Sequence, residues 1–244
     1  MTVLGGCGAW PAAGQACSGY LVEQDGFRLL VDPGYATVPR LLALVGAEQV
    51  DAVFVSHQHP DHCADLSPLL RARALADEPP TPLPVYSLAG AVDAVLALDP
   101  PRMGADACTL RPISPGSTTE LGPFQVHVRL LPHYVPNLGV RISAGGTALA
   151  YTGDAAPHPD AVALADGAAL LLAESTYPER LPESAIGNLS TALEAGAQAT
   201  AAGAGRLMLT HLWPGTDPAA ARDAARRSYS GPIDVADGST TIDL

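Results

Sequence analysis

The chain contains no lysine. All thirteen basic residues are arginine, set against 25 acidic residues for a formal net charge of −12. The arginines are scattered, and only Arg226 and Arg227 are adjacent. Such a surface repels a polyanion as long as RNA unless a basic patch forms locally, so a small-molecule substrate suits it better than nucleic acid. No run of eighteen apolar residues occurs, which excludes an apolar helix that spans a membrane. The opening MTVLGGCGAWP has neither a basic region nor a long apolar one, so it does not read as a signal peptide, and the cytoplasm is the default location. The four cysteines, Cys7, Cys17, Cys63 and Cys108, form no CxxC pair and read as free thiols. There is no GxSxG nucleophile elbow and no phosphate-cradling glycine loop.

What is present is apolar and punctuated. Residues AVILMFWYC make up 48% of 244 positions, enough for a sizeable core. YLVEQDGFRLLVD, ending at Asp32, reads as a hairpin turning at Asp25–Gly26. Residues 38–46 have helical spacing, and residues 50–56 form an apolar run suited to a strand buried on both faces. Helices are expected over 66–76, 89–98, 190–203 and 218–229, and strands over 85–87, 124–132, 139–143, 147–154, 167–176 and 206–211. The stretches 78–84 and 99–108 read as loops, as does APHPD around His158. No linker divides the chain, so residues 1–244 are expected to form one α/β domain with two sheets between helices.

Three of the seven histidines fall in HQHPDH, residues 57–62, directly after the apolar strand at 50–56. Strand ends are where α/β folds place ligand sites. In a tight turn His57 and His59 converge on one ion, while Asp61 and His62 point to a neighbouring position. Imidazole with carboxylate suits zinc, with manganese or iron as alternatives. Read alone, the stretch is also compatible with a surface histidine cluster. Later segments end in residues of the same type: His133, Asp154 and His211. Seven ligands exceed what one zinc takes, whereas two ions sharing a bridging carboxylate use all seven. Water between two such ions loses a proton near neutral pH and becomes a nucleophile.

HQHPDH matches the HxHxDH signature of the metallo-β-lactamase fold superfamily, which the chain resembles over nearly its whole length. LLVDPG, YTGD and LTH look like further motifs of that superfamily. CSGYLVEQDGFRLLVD, LPVYSLAG, HYVPNLGVRI and LMLTHLWPGTDP resemble its ribonuclease Z branch and the smaller phosphodiesterases of that branch, in particular bacterial cyclic-nucleotide phosphodiesterases. The resemblance implies an αββα four-layer sandwich with two divalent ions, most simply zinc. His57, His59 and His133 would hold one ion and Asp61, His62 and His211 the other, with Asp154 between them. Asp61 would orient the nucleophile and accept its proton. Asp32 would brace the histidine loop, although before Pro33–Gly34 it also reads as a plain turn residue. Dimers are common among such relatives.

Two departures stand out. Where ribonuclease Z has a proton-donating histidine, this chain reads NLST, with Asn188, which can donate a hydrogen bond but not a proton near pH 7. The HEAT-like stretch reads Ala173–Glu174–Ser175–Thr176, and no basic arm for tRNA is present. These features argue against tRNA processing. The expected reaction is hydrolysis of a small phosphodiester, cyclic nucleotides and other small cyclic phosphates included. Hydrolysis of a lactone or thioester, or metal binding without turnover, are the other readings. Tyr134, Asn137, His158, Asn188 and Trp213 are candidate substrate contacts. For His158 a solvated loop position competes, and for Trp213 packing of a turn. His127 reads as one side of a strand, Ser56 as structural and Cys63 as a small buried residue.

Overall fold

The computed structural model describes residues 1–238 and 240–244. The strands fall into two sheets. The first runs β1 (Thr2–Gly5), β2 (Gly19–Gln24), β3 (Phe27–Val31), β4 (Ala52–Phe54), β5 (Leu83–Ser87) and β6 (Cys108–Pro112) in that spatial order. The first three pair antiparallel and the last three join in parallel. The second sheet contains β7 (Thr118–Leu121), β8 (Phe124–Leu131), β9 (Asn137–Ala144), β10 (Thr147–Tyr151), β11 (Leu170–Glu174), β12 (Leu207–Thr210) and β13 (Ile233–Val235), with β13 at one edge and β7 at the other. Here β7 to β10 are antiparallel and β10 to β13 parallel. The helices are α1 (Val38–Leu42), α2 (Pro60–Cys63), α3 (Leu66–Ala74), α4 (Asp93–Leu96), α5 (Pro159–Ala165), α6 (Ala192–Ala201) and α7 (Pro218–Arg226).

Alternation along the strands builds four layers. In β3, Leu29 and Val31 face the space between the sheets, and Leu30 faces the opposite way. In β11, Leu170 and Leu172 point inward while Leu171 and Ala173 point outward. The strands are therefore apolar on both faces because both faces are covered. The central layer joins Tyr20, Phe54 and Val31 to Val128, Val140 and Tyr151. Outside the first sheet, Leu41 of α1, Leu66, Leu69 and Leu70 of α3 and Val95 of α4 pack on Leu21, Leu30, Val53 and Val85. Outside the second, the seal is made chiefly of alanines: Ala195 and Ala199 of α6 and Ala221, Ala224 and Ala225 of α7 lie against Ala148, Ala150 and Leu171. Small side chains let these helices sit close to the sheet. The result is an αββα sandwich.

Several boundaries differ from those expected. The helix at 38–46 stops at Leu42, and that at 89–98 shrinks to Asp93–Leu96. The stretch 99–108 holds two short 3-10 turns and then runs into β6, an edge strand whose residues Leu110 to Pro112 are exposed, so its apolar signal is weak. Pro159–Ala165 is a helix rather than loop, started by proline at its first position and capped by the His158 ring, whose Nδ1 accepts the Asp160 N–H at 3.2 Å.

Candidate metal centre

Asp32 directly after β3, Ser56 two residues after β4 and Tyr151 at the end of β10 set the centre. Asp32 follows β3 with φ +50°, a left-handed turn that aspartate tolerates, and is fully buried. Its carboxylate accepts from the Ser56 N–H (2.7 Å), the Ser56 hydroxyl (2.6 Å), the Tyr151 hydroxyl (2.8 Å) and His62 Nδ1 (2.8 Å). Four donors on one buried carboxylate fix the start of the histidine loop and aim His62 Nε2 away from Asp32. Asp32 thus braces the loop, and Ser56 is structural. Gly34, two residues on, has no room for a side chain, because a Cβ there would lie 1.9 Å from the Asp61 carbonyl oxygen.

The HQHPDH stretch then bends into α2, whose first residue is Pro60. This turn separates two clusters. His57 Nε2 lies 3.0 Å from His59 Nδ1, which lies 3.1 Å from His133 Nε2. Asp154 Oδ2 stands 3.8 Å from both His57 and His133. On the other side His211 Nε2 is 3.1 Å from Asp61 Oδ2 and 3.0 Å from Asp154 Oδ2, and His62 Nε2 is 3.2 Å from Asp154 Oδ1. The donor atoms of His57, His59, His133 and Asp154 all lie within 4.8 Å of one another, as do those of Asp61, His62, Asp154 and His211. The structure brings the seven residues together in two sets, with Asp154 common to both, the grouping that the resemblance implies.

Each ring is oriented from behind. His133 Nδ1 donates to the Asn188 carbonyl at 2.9 Å, and Ser56 Oγ lies 3.0 Å from His57 Nδ1. Thr176 donates to Glu174 Oε1 at 2.6 Å, so its oxygen is left to accept from His211 Nδ1 at 3.0 Å. Asp61 Oδ2 accepts the backbone N–H of Ala9 at 2.8 Å, from a loop 52 positions away. Ala9 carries no side-chain signal for this role, and the sequence could not have disclosed it. Glu174 and Tyr151 were equally silent as partners, being apolar-strand residues whose facing depends on the sheet.

Electrostatics divide the two clusters. Burial lowers the pKa of His57, His59 and His133, and neighbouring histidines add to this, so three neutral imidazoles turn lone pairs toward a common point. Burial also opposes charge on His62 and His211, but the Asp154 and Asp61 carboxylates outweigh it and raise both, His211 to about 10. Those histidines in turn hold Asp61 and Asp154 below the ordinary carboxylate range despite burial. Burial, then the Asp154 charge, pushes Glu174 up to about 8.

The donor set fits divalent cations. Two buried atoms aimed into the centre, His62 Nε2 and Asp154 Oδ1, face each other as an ion pair at 3.2 Å and have no hydrogen-bond partner. Burial without a partner is costly for both. The 3.0 and 3.1 Å nitrogen separations approach the spacing of about 3.3 Å between nitrogens on a tetrahedral zinc ion. Imidazole and carboxylate are ligands that zinc, manganese and iron accept.

The centre opens into a pocket of about 380 Å³ lined by Pro60, Tyr134, Tyr177, Leu189 and Trp213 around the cluster residues. Tyr134 and Trp213 thus lie where the sequence reading placed them. The other candidate substrate contacts do not. Asn137 is fully buried; its Nδ2 donates to the Thr152 carbonyl and its side chain backs Gly153, so it braces the turn before Asp154. His158 caps α5 and borders a separate groove with Val162 and Gln198. Asn188 meets the centre through its carbonyl, and its residue does not line the pocket. A second cavity, about 470 Å³, lies beyond Trp213 and holds none of the seven cluster residues.

Two sheets packed face to face, with a double histidine–aspartate cluster at their shared edge, define a metallo-hydrolase scaffold. A family profile described as "Beta-lactamase superfamily domain" matches residues 27–212. The probable metallo-hydrolase YhfI of Bacillus subtilis (strain 168) is 31% identical over 239 residues, covering 97% of this chain and 96% of that protein. The crystal structure of YhfI, a metallo-β-lactamase fold protein, matches with a TM-score of 0.90 over 99% of this chain and 98% of that one, at 31% identity. A ribonuclease Z from Mycolicibacterium gilvum (strain PYR-GCK) is 31% identical over 244 residues, 89% of this chain and 85% of that protein. Zn2+-bound PqqB from Methylobacterium extorquens shares the fold, with a TM-score of 0.76, 20% identity and coverage of 100% and 99%. The chain belongs to the β-lactamase superfamily, in the metallo-β-lactamase branch that includes ribonuclease Z. Among the described residues, no helix is long and apolar enough to cross a membrane.

Proposed function

We propose that this protein is a phosphodiesterase that holds two divalent ions, most simply zinc, and cleaves a small phosphodiester. The observation that carries this reading is the pair of clusters sharing Asp154, at whose junction two buried atoms, His62 Nε2 and Asp154 Oδ1, have no hydrogen-bond partner. His57, His59, His133 and Asp154 would hold one ion, and Asp61, His62, Asp154 and His211 the other. Two such cations supply positive charge at the scissile oxygens and acidify water. Asp61, steadied by the Ala9 N–H, orients the attacking water and takes its proton. The Asp32, Asn188 and Thr176 contacts keep the imidazoles facing inward while this happens. The kinship with a ribonuclease Z supports phosphorus over carbon as the reacting centre.

The test is turnover of bis-p-nitrophenyl phosphate and of cyclic nucleotides by zinc- or manganese-loaded protein. Rates no higher than those of Asp61→Ala would sink the proposal. One observation favours a second reading, hydrolysis of a thioester or lactone. Among the described residues lining the pocket, no imidazole or carboxylic acid stands outside the cluster to protonate a leaving group. A thiolate needs no such help. A thioester and lactone panel run beside the phosphodiesters separates the two.

A further inference from the structure

The two tryptophans of the chain pack on each other, and one of them borders the centre. Trp213 follows His211 by two residues and lines the pocket; Tyr177 stacks on it with ring centroids 5.5 Å apart and planes at 21°. Trp10, on the same loop as the Ala9 N–H that holds Asp61, meets Trp213 edge-on at 4.9 Å and 82°, yet remains 47% exposed. Across the cluster Tyr134, 52% exposed, sits with its ring 5.1 Å from that of His133. Only 5% of the chain is aromatic, so three rings lining one pocket, Tyr134, Tyr177 and Trp213, with Trp10 packed on Trp213, are a local concentration. Indole and phenol rings left half in water present flat apolar faces that a second flat ring can cover.

Charge narrows the occupant further. Among the described residues that line the pocket there is no arginine, and the chain has no lysine. The ions of the centre would be the only cations available to a substrate. They suffice for the single charge of a phosphodiester but leave an additional phosphate without a partner. We propose that Trp213, backed on one face by Tyr177 and in edge contact with Trp10, is the specificity-determining platform of the site, and that the substrate is a singly charged phosphodiester bearing a flat ring, such as a nucleobase. This inference rests on the phosphodiesterase reading and adds the part of the substrate that the ions do not touch.

Two measurements test it. The first compares kcat/KM of the metal-loaded protein for cyclic adenosine monophosphate and for the same cyclic ribose phosphate without its base. Stacking on an aromatic ring predicts a preference of roughly tenfold or more for the base-bearing diester. Trp213→Ala should remove most of that preference, chiefly through KM, and Trp213→Phe should retain most of it. The second titrates the cyclic nucleotide into chelator-treated protein while following tryptophan emission, to which Trp10 and Trp213 are the sole contributors. Saturable quenching is expected. Equal kcat/KM for the two diesters, or a preference that survives Trp213→Ala, would overturn the platform and leave the cluster as packing for the N-terminal loop. If the unaltered protein turns over neither diester, the phosphodiesterase reading fails separately, and the emission titration still decides: quenching upholds the platform and its absence overturns it.

Discussion

His62 and Asp32, thirty residues apart and both fully buried, are joined by a 2.8 Å hydrogen bond between Nδ1 and Oδ2. The same carboxylate carries Ser56 and Tyr151. Asp32→Asn should therefore lower metal affinity roughly 10- to 100-fold by releasing the ring. It should also cost about 3 kcal/mol of stability, since buried donors lose their acceptor. Tyr151→Phe removes one donor only and should cost about 1 kcal/mol. Chelator competition and denaturant unfolding measure the two effects.

Gly8 tests the second cluster without touching a ligand. A Cβ at that position would stand 2.9 Å from His211 Cε1 and Nδ1 and 2.8 Å from its carbonyl oxygen. Gly8→Ala should push the imidazole off its Thr176 contact. We expect metal content to fall from two ions toward one, with the His57–His59–His133 set still occupied. Metal analysis after dialysis reads this directly, and two tightly held ions in Gly8→Ala would contradict it.

Proton linkage gives a sign that can be checked. His211 is raised from 6.5 to about 10 and Glu174 from 4.5 to about 8 in the metal-free fold. A raised folded pKa contributes stability that is complete below the unfolded value and is lost as pH climbs through the folded one. The melting temperature of chelator-treated protein should thus fall between pH 7 and pH 10. Metal must displace the protons of His62 and His211, so binding at pH 7.5 should release roughly one to two protons. Calorimetry in buffers of different ionisation enthalpy counts them, and a heat independent of buffer would refute the assignment.

The four cysteines are buried and unbridged. Burial raises all four thiols, that of Cys63 to about 12. Ellman's reagent at pH 8 should find well under one reactive thiol in the native protein within minutes and four after unfolding. Rapid labelling of the native fold would show that the interior opens readily.

Much of the centre was legible because its residues close apolar strands. His57 follows β4 by three residues, Asp154 follows β10 by three, and His211 follows β12 directly. A strand buried on both faces must deliver its next polar residue to the sheet's edge, and the edge is where the two sheets meet. The misplaced residues have other causes. Asn188 acts through a carbonyl, which every residue has. Asn137 stands beside a ligand loop, as a pocket residue would, but strand parity opposite to that of Leu138 and Val140 turns it away from the inter-sheet space and against Thr152 and Gly153. APHPD around His158 reads as a loop, whereas proline at the first position of a helix is a start signal. Edge strands β6 and β7 carry too little apolar pattern to be distinguished from loops.

Neither sheet owns a cluster. His57, His59, Asp61 and His62 leave the first sheet after β4, while His133, Asp154 and His211 leave the second after β8, β10 and β12. An ion in either position would be a rivet through both halves of the sandwich. Parting the sheets would then require giving up the ions, so mechanical cohesion and chemical competence would be gained and lost in the same event.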